Sequence, residues 1–174
     1  MAMLSKLPRS GYAFLGSGKQ SVAEHTLNTI AIGYALAHLS DDSVDEHKLL
    51  KLCLFHDLPE SRIGDHNYVQ KRYVSADMGK VLSDMRISSP LGDGIVDYIE
   101  EFEEQKTHEA KLARDADQIE MLLMLKQEID VGNPKAQEWY GAVEGRVVTD
   151  AGKKLIQQIK DTPSDAWWRD IVTT

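Results

Sequence analysis

The 174-residue chain is long enough to bury one hydrophobic core without disulfide or metal staples, and 42% hydrophobic with 28% charged residues is an ordinary globular balance. A formal charge of −8 argues against a nucleic-acid polymer as partner, because such binding neutralises phosphates with clustered Lys and Arg; a small anion beside a bound dication stays compatible with it. Cys53 is the sole cysteine, which excludes an intrachain disulfide and a thiolate metal site, and no stretch reaches the roughly 18 apolar residues of a membrane span. No membrane partner and a cytoplasmic location are therefore expected, the start of the chain lacking the apolar core and small-residue cleavage site of a secretory leader.

Residues 1–20 carry Pro8, Gly11, Gly16 and Gly18 and read as an irregular arm after about one helical turn, with Arg9 and Tyr12 standing out in it. Ser21 followed by Glu24 is a capping box that opens a helix to about residue 39. His25 then lies in the first turn, where the helix dipole disfavours an imidazolium and favours the neutral, ligating ring. Ser43 and Glu46 repeat the capping pattern, and a second helix is predicted over about 44–57. Its apolar run Leu52, Cys53, Leu54 and Phe55 ends abruptly in His56 and Asp57 and is broken by Pro59, whose ring clashes with the Phe55 carbonyl in a continued helix. Cys53 reads as a small buried hydrophobe. Burying an imidazole with a carboxylate costs on the order of several kcal/mol unless a charge compensates them. For this stretch alone, capping and pairing at a helix end is a better explanation than a metal ion.

Residues 66–91 place Tyr68, Tyr73, Met78, Val81, Leu82 and Met85 at helical spacing weakened by Gly79, and are the natural place for a lid or variable loop. A helix resumes over 95–104 with an acidic, solvated flank. The most regular helix is predicted over 107–130, apolar on nearly all sides, with Asp115 and Asp117 inside it, where a carboxylate requires a partner. Further helices follow over about 135–143 and 149–160. Thr162 as N-cap and Pro163 at the first helical position then open a short last helix with Trp167, Trp168 and Ile171. No segment alternates as a strand does, so the fold class is all-α, a single helical bundle over residues 1–174 with a metal-binding core at about 21–130 and additional C-terminal helices at about 135–173.

His25, the pair His56 and Asp57, and Asp117 form one ordered pattern, each on or at the end of a different predicted helix. Nitrogen and oxygen ligands without sulfur suit one divalent transition metal (Mn, Fe, Co, Ni or Zn), and helices meeting in a bundle are a known way to converge them. Adjacent His and Asp cannot face one way on a regular helix, so the break at Pro59 is what lets both turn inward. His38, His47, His66 and His108 read as surface or packing residues.

Three segments, SVAEHT, CLFHDLPESRIGD and KLARDADQIEML, resemble the signatures of HD-domain metal-dependent phosphohydrolases, and together with LPRSGY near the N-terminus they resemble the small 5′-deoxynucleotidase branch, over roughly residues 4–130. The resemblance implies an HD-domain bundle with His25, His56, Asp57 and Asp117 as metal ligands; Asp117 and not Asp115 matches because DQIEM aligns directly behind it. It further implies Glu60 and Asp65 as catalytic residues, Asp65 on the sugar side, and Arg9 as a phosphate contact. Tyr12 stands where the family's substrate-binding aromatic is displaced, and Pro59 departs from a small residue. A homodimer and a small-molecule nucleotide substrate are implied too. The expected activity is hydrolysis of deoxyribonucleoside 5′-monophosphates to deoxynucleoside and phosphate. The alternatives are the same site acting on another nucleotide or phosphoester, and a non-catalytic helical interaction module with a structural metal.

Overall fold

The computed structural model describes residues 2–173, and among them no strand is present; the one isolated bridge pairs Pro8 with Ser21. A 3-10 turn at Leu4–Lys6 and a short helix α1 (Tyr12–Leu15) form the arm. They are followed by α2 (Val22–Leu39), α3 (Glu46–Phe55), α4 (Glu60–Ile63), α5 (Met78–Ile87), α6 (Gly92–Glu104), α7 (His108–Asp130), α8 (Pro134–Glu144), α9 (Asp150–Asp161) and α10 (Ala166–Thr173).

α7 is the axis. It packs against α2, α3, α6, α8 and α9, and Leu112, Ile119 and Leu122 on it are fully buried with Leu36, Leu49, Leu52 and Phe102 from its neighbours. Each such side chain contributes about 1.5–3 kcal/mol by leaving water. The capping box at Ser21 forms as expected: Ser21 Oγ accepts from Glu24 N at 3.2 Å while Glu24 Oε2 accepts from Ser21 N at 2.6 Å. α2 and α3 approach closely because Gly33 has no side chain; a Cβ there would lie 2.8 Å from Cys53 Sγ. That close approach brings His25 within reach of His56. Cys53 is a buried free thiol whose pKa is pushed up to about 12 by burial, as a packing residue should be.

Two expected helix starts are corrected. α3 is capped by Asp45, which accepts from Lys48 N at 3.1 Å, and not by Ser43; Glu109 on α7 accepts from Asp45 N at 3.1 Å and so sets where the loop ends. Thr162 closes α9 instead of opening the last helix, because Asp130 Oδ2 at the end of α7 accepts from Ser164 N at 2.9 Å and holds the chain in a turn until Ala166. The lid region is a strap over residues 64–77, largely exposed, with a 3-10 turn at Gln70–Arg72 and then α5, started by Asp77. No helix is long and apolar enough to cross a membrane among the described residues.

Candidate metal and phosphate site

α3 ends at Phe55, and the next residues turn sharply, with Leu58 N donating to Phe55 O and Glu60 N to Asp57 O before α4 begins. That break points His56 and Asp57 toward the first turn of α2 and the middle of α7. His25 Nε2 lies 3.2 Å from Asp117 Oδ1, 3.3 Å from His56 Nε2 and 3.4 Å from Asp57 Oδ2. His56 Nε2 is 3.3 Å from the same Asp57 oxygen. Atoms of His25, His56 and Asp117 all fall within 4.8 Å of one another, while Asp57 approaches the two imidazoles but lies outside that group.

The opposite ring nitrogens settle what these atoms can do. His56 Nδ1 is 2.8 Å from the Cys53 carbonyl, which can only accept, so Nδ1 carries the proton and Nε2 the lone pair. His25 Nδ1 is 2.7 Å from Glu120 Oε2, while Gln20 and Asn28 donate to Glu120 Oε1 at 2.6 and 3.0 Å, marking Glu120 as an ionised acceptor. As neutral rings, His25 and His56 therefore turn Nε2 lone pairs toward each other and two carboxylates. A proton added at His25 Nε2 can serve one of its three neighbours; a dication can serve His25, His56 and Asp117 together. This donor set fits a divalent transition metal.

The charges agree. Burial and then Arg9 oppose a cation on His25, but hydrogen bonds to Asp117 and Glu120 and the Asp57 charge outweigh them and push its pKa up to about 10. Asp57 and Asp117 are held well below the usual carboxylate range despite burial, by the histidines and by Arg9. Arg9 Nη1 sits 3.4 Å from Asp57 Oδ2, and against its own burial Asp57, Asp117, Asp65 and Glu60 keep it charged.

These groups open into a cavity of about 950 Å³ that Arg9, Tyr12, His56, Asp57, Glu60, Asp65 and Asp117 all help to line. His66 lines it as well. Glu60 Oε2 and Tyr12 Oη are buried there without a hydrogen-bond partner among the described residues. Burial first, then the Asp57 and Asp65 charges, push the Glu60 carboxyl up to about 9, so it carries a proton at neutral pH. Asp65 is engaged: its Oδ2 accepts from Ser10 N at 2.6 Å and Ser10 Oγ at 3.2 Å, tying the arm that carries Arg9 to the end of α4. A carboxylate held this way positions the arm. Glu120 is the residue sequence reasoning missed; a buried glutamate one turn past Asp117 on a core helix was the available signal. Asp115, fully buried, faces away from the site and accepts from Val148 N, Thr149 N and Thr149 Oγ1 at 3.0, 2.7 and 2.6 Å, fixing the start of α9.

Comparison with known proteins places this geometry in context. The family described as HD domain matches residues 1–160. A protein of Dictyostelium discoideum named 5′-deoxynucleotidase HDDC2 is 29% identical over 173 residues, covering 90% of this chain and 91% of its own, and the zebrafish (Danio rerio) protein of the same name is 28% identical over 158 residues, covering 84% and 76%. Among solved structures, the PH0347 protein of Pyrococcus horikoshii OT3 superposes with a TM-score of 0.76 at 26% identity, covering 91% of this chain and 92% of that one.

Proposed function

The chain belongs to the HD-domain family, and from that premise we propose that it is a metal-dependent phosphomonoesterase hydrolysing deoxyribonucleoside 5′-monophosphates to deoxynucleoside and phosphate. The observation that carries the reading is the meeting, in one cavity, of two histidine Nε2 atoms and two carboxylates with a charged Arg9 and a protonated, unpartnered Glu60. The names of the Dictyostelium and zebrafish relatives support the choice of substrate.

His25, His56, Asp57 and Asp117 would hold one divalent transition metal, Mn, Fe, Co, Ni or Zn, which supplies an activated water and a clamp on a phosphoryl oxygen. Arg9 binds the phosphate's remaining charge through its planar fork, next to Asp57, where negative charge builds during transfer. Glu60 gives its proton to the departing 5′ oxygen as the P–O bond breaks, its raised pKa keeping that proton available at neutral pH. Asp65 keeps Ser10, and with it Arg9, against the cavity; the family resemblance assigns it to the sugar side. Tyr12 offers its buried hydroxyl to the substrate. Glu120 holds the His25 ring in the ligating tautomer.

A second reading, the same chemistry on a larger phosphoester, is favoured by a cavity of about 950 Å³, at the upper end of ordinary ligand pockets. Phosphate release by purified, metal-reconstituted protein from deoxyribo- and ribonucleoside 5′-monophosphates tests both. Faster turnover of the deoxy series is expected, and equal rates on both sugars would sink the deoxy assignment. The working form on this reading is a cytoplasmic homodimer, for which the exposed Trp167, Trp168, Ile171 and Val172 on α10 offer an apolar pairing surface; a monomeric mass by light scattering would remove that part.

A further inference from the structure

Past the phosphate end, the cavity continues to a cluster that no step of the proposed hydrolysis uses. Tyr68 on the strap, Trp139 on α8 and Arg146 just after α8 line the same space. Tyr68 and Trp139 meet edge to face with centroids 5.8 Å apart. The Arg146 guanidinium lies 5.4 Å from the Tyr68 ring centroid, and its Nη1 donates to Tyr68 Oη at 2.7 Å. No carboxylate pairs with Arg146 among the described residues, so its charge and its remaining N–H donors are free for a ligand.

Two contacts set this cluster at a defined place relative to the reacting end. Gln118 donates from Nε2 to Asp117 Oδ2 at 2.7 Å and accepts at Oε1 from Arg146 Nη1 at 3.4 Å, so one side chain separates the metal ligand from the arginine. On the other wall, Trp139 rests on the arm two residues after Arg9; a Cβ added at Gly11 would lie 3.2 Å from Trp139 Cη2. A molecule held by its phosphate at Arg9 therefore extends toward aromatic rings and a donor-only cation.

Resting on the nucleotide reading above, we infer that Tyr68, Trp139 and Arg146 form the subsite for the nucleobase. The rings give the base an apolar face to stack on, and Arg146 donates to an acceptor on its edge. Every nucleobase presents such an acceptor, and a donor-only group does not tell one from another, so the subsite accepts purines and pyrimidines alike. The strap and the helices after α7 thereby acquire a role in substrate binding.

The test compares each deoxynucleoside 5′-monophosphate with 2-deoxyribose 5-phosphate, which keeps the reacting end and lacks the base. In Trp139→Ala and in Arg146→Ala, the ratio of kcat/KM on nucleotide to kcat/KM on the abasic ester is expected to fall about tenfold, mainly through KM. An unchanged ratio overturns the inference. Arg146 is exposed, so its variant decides the matter even if Trp139→Ala fails to fold. Binding gives a readout independent of turnover: nucleotide should quench tryptophan fluorescence saturably, the abasic ester should not, and Trp139→Phe should abolish the quenching. Quenching that survives in Trp139→Phe also overturns the inference. Wild-type protein that turns over no nucleotide ends the nucleotidase reading while the fluorescence titration still judges the subsite; turnover with an unchanged ratio ends the subsite alone.

Discussion

At the inner end of the cavity, α2, α3 and α7 hold His25, His56 and Glu120 almost completely buried, and each ring nitrogen facing away from the site is matched to an acceptor. At the outer end, the strap and the turn after α8 hold Tyr68 and Arg146 exposed, joined by one hydrogen bond and a ring contact. The inner end is fixed because a buried polar group that loses its partner forfeits its whole desolvation cost; the outer end has water to fall back on. Substitutions inside should therefore change what the protein holds or whether it reacts, and substitutions outside should change only how well a ligand is gripped.

The largest effect should come from Asp117→Ala, which is expected to remove bound metal and activity together, measured as metal content of the purified protein and phosphate release. Metal retained at full stoichiometry would break the inner-end account. Glu60→Gln should keep the metal and lower kcat by about 10²- to 10⁴-fold, the range for loss of a general acid; full turnover would show that Glu60 moves no proton. The same variant has a stability signature. Because the Glu60 pKa in the folded protein is raised from 4.5 to about 9, the folded state keeps a proton that the unfolded chain releases, and stability falls as pH rises through that window. In chelator-treated protein, Glu60→Gln should melt higher than wild type by a margin that widens from pH 5 toward about 9.

A smaller loss, about 10- to 100-fold in metal affinity or rate, is expected for Glu120→Ala, since His25 loses the acceptor that fixes its tautomer. Asp115→Ala sharpens the contrast, because Asp115 lies two residues before Asp117 on the same helix but faces the opposite way. It should cost about 1–3 kcal/mol of unfolding free energy through three lost hydrogen bonds to the start of α9, with metal content unchanged. Metal loss in that variant would mean that the two faces of α7 are not independent. Smallest is the expected response at the outer end, the shift in substrate ratio on replacing Arg146.

The order and extent of the helices were largely legible in the chain because their causes are local. Capping at Ser21, the clash at Pro59 and the apolar periodicity of α7 each act within one or two turns. The misplaced starts of α3 and α10 have the opposite origin: Glu109 and Asp130, both on α7, capture amides of distant loops and shift where the helices begin. Tyr12 and Arg9 could be singled out in the arm, but the reason the arm lies on the cavity is Asp65, whose bonds to Ser10 span 55 residues.

By itself, the sequence determined that this is an all-helical chain and set His25, His56, Asp57 and Asp117 in one ordered pattern of nitrogen and oxygen donors, because residue type and helix breaks are local properties. Only the tertiary structure decided which nitrogen of His25 faces the site, that Glu120 anchors that ring across 95 residues, and that Gln118, beside Asp117, meets Arg146 across 28. Those partners share no turn and no periodicity, so nothing short of packing α7 among its neighbours brings them together.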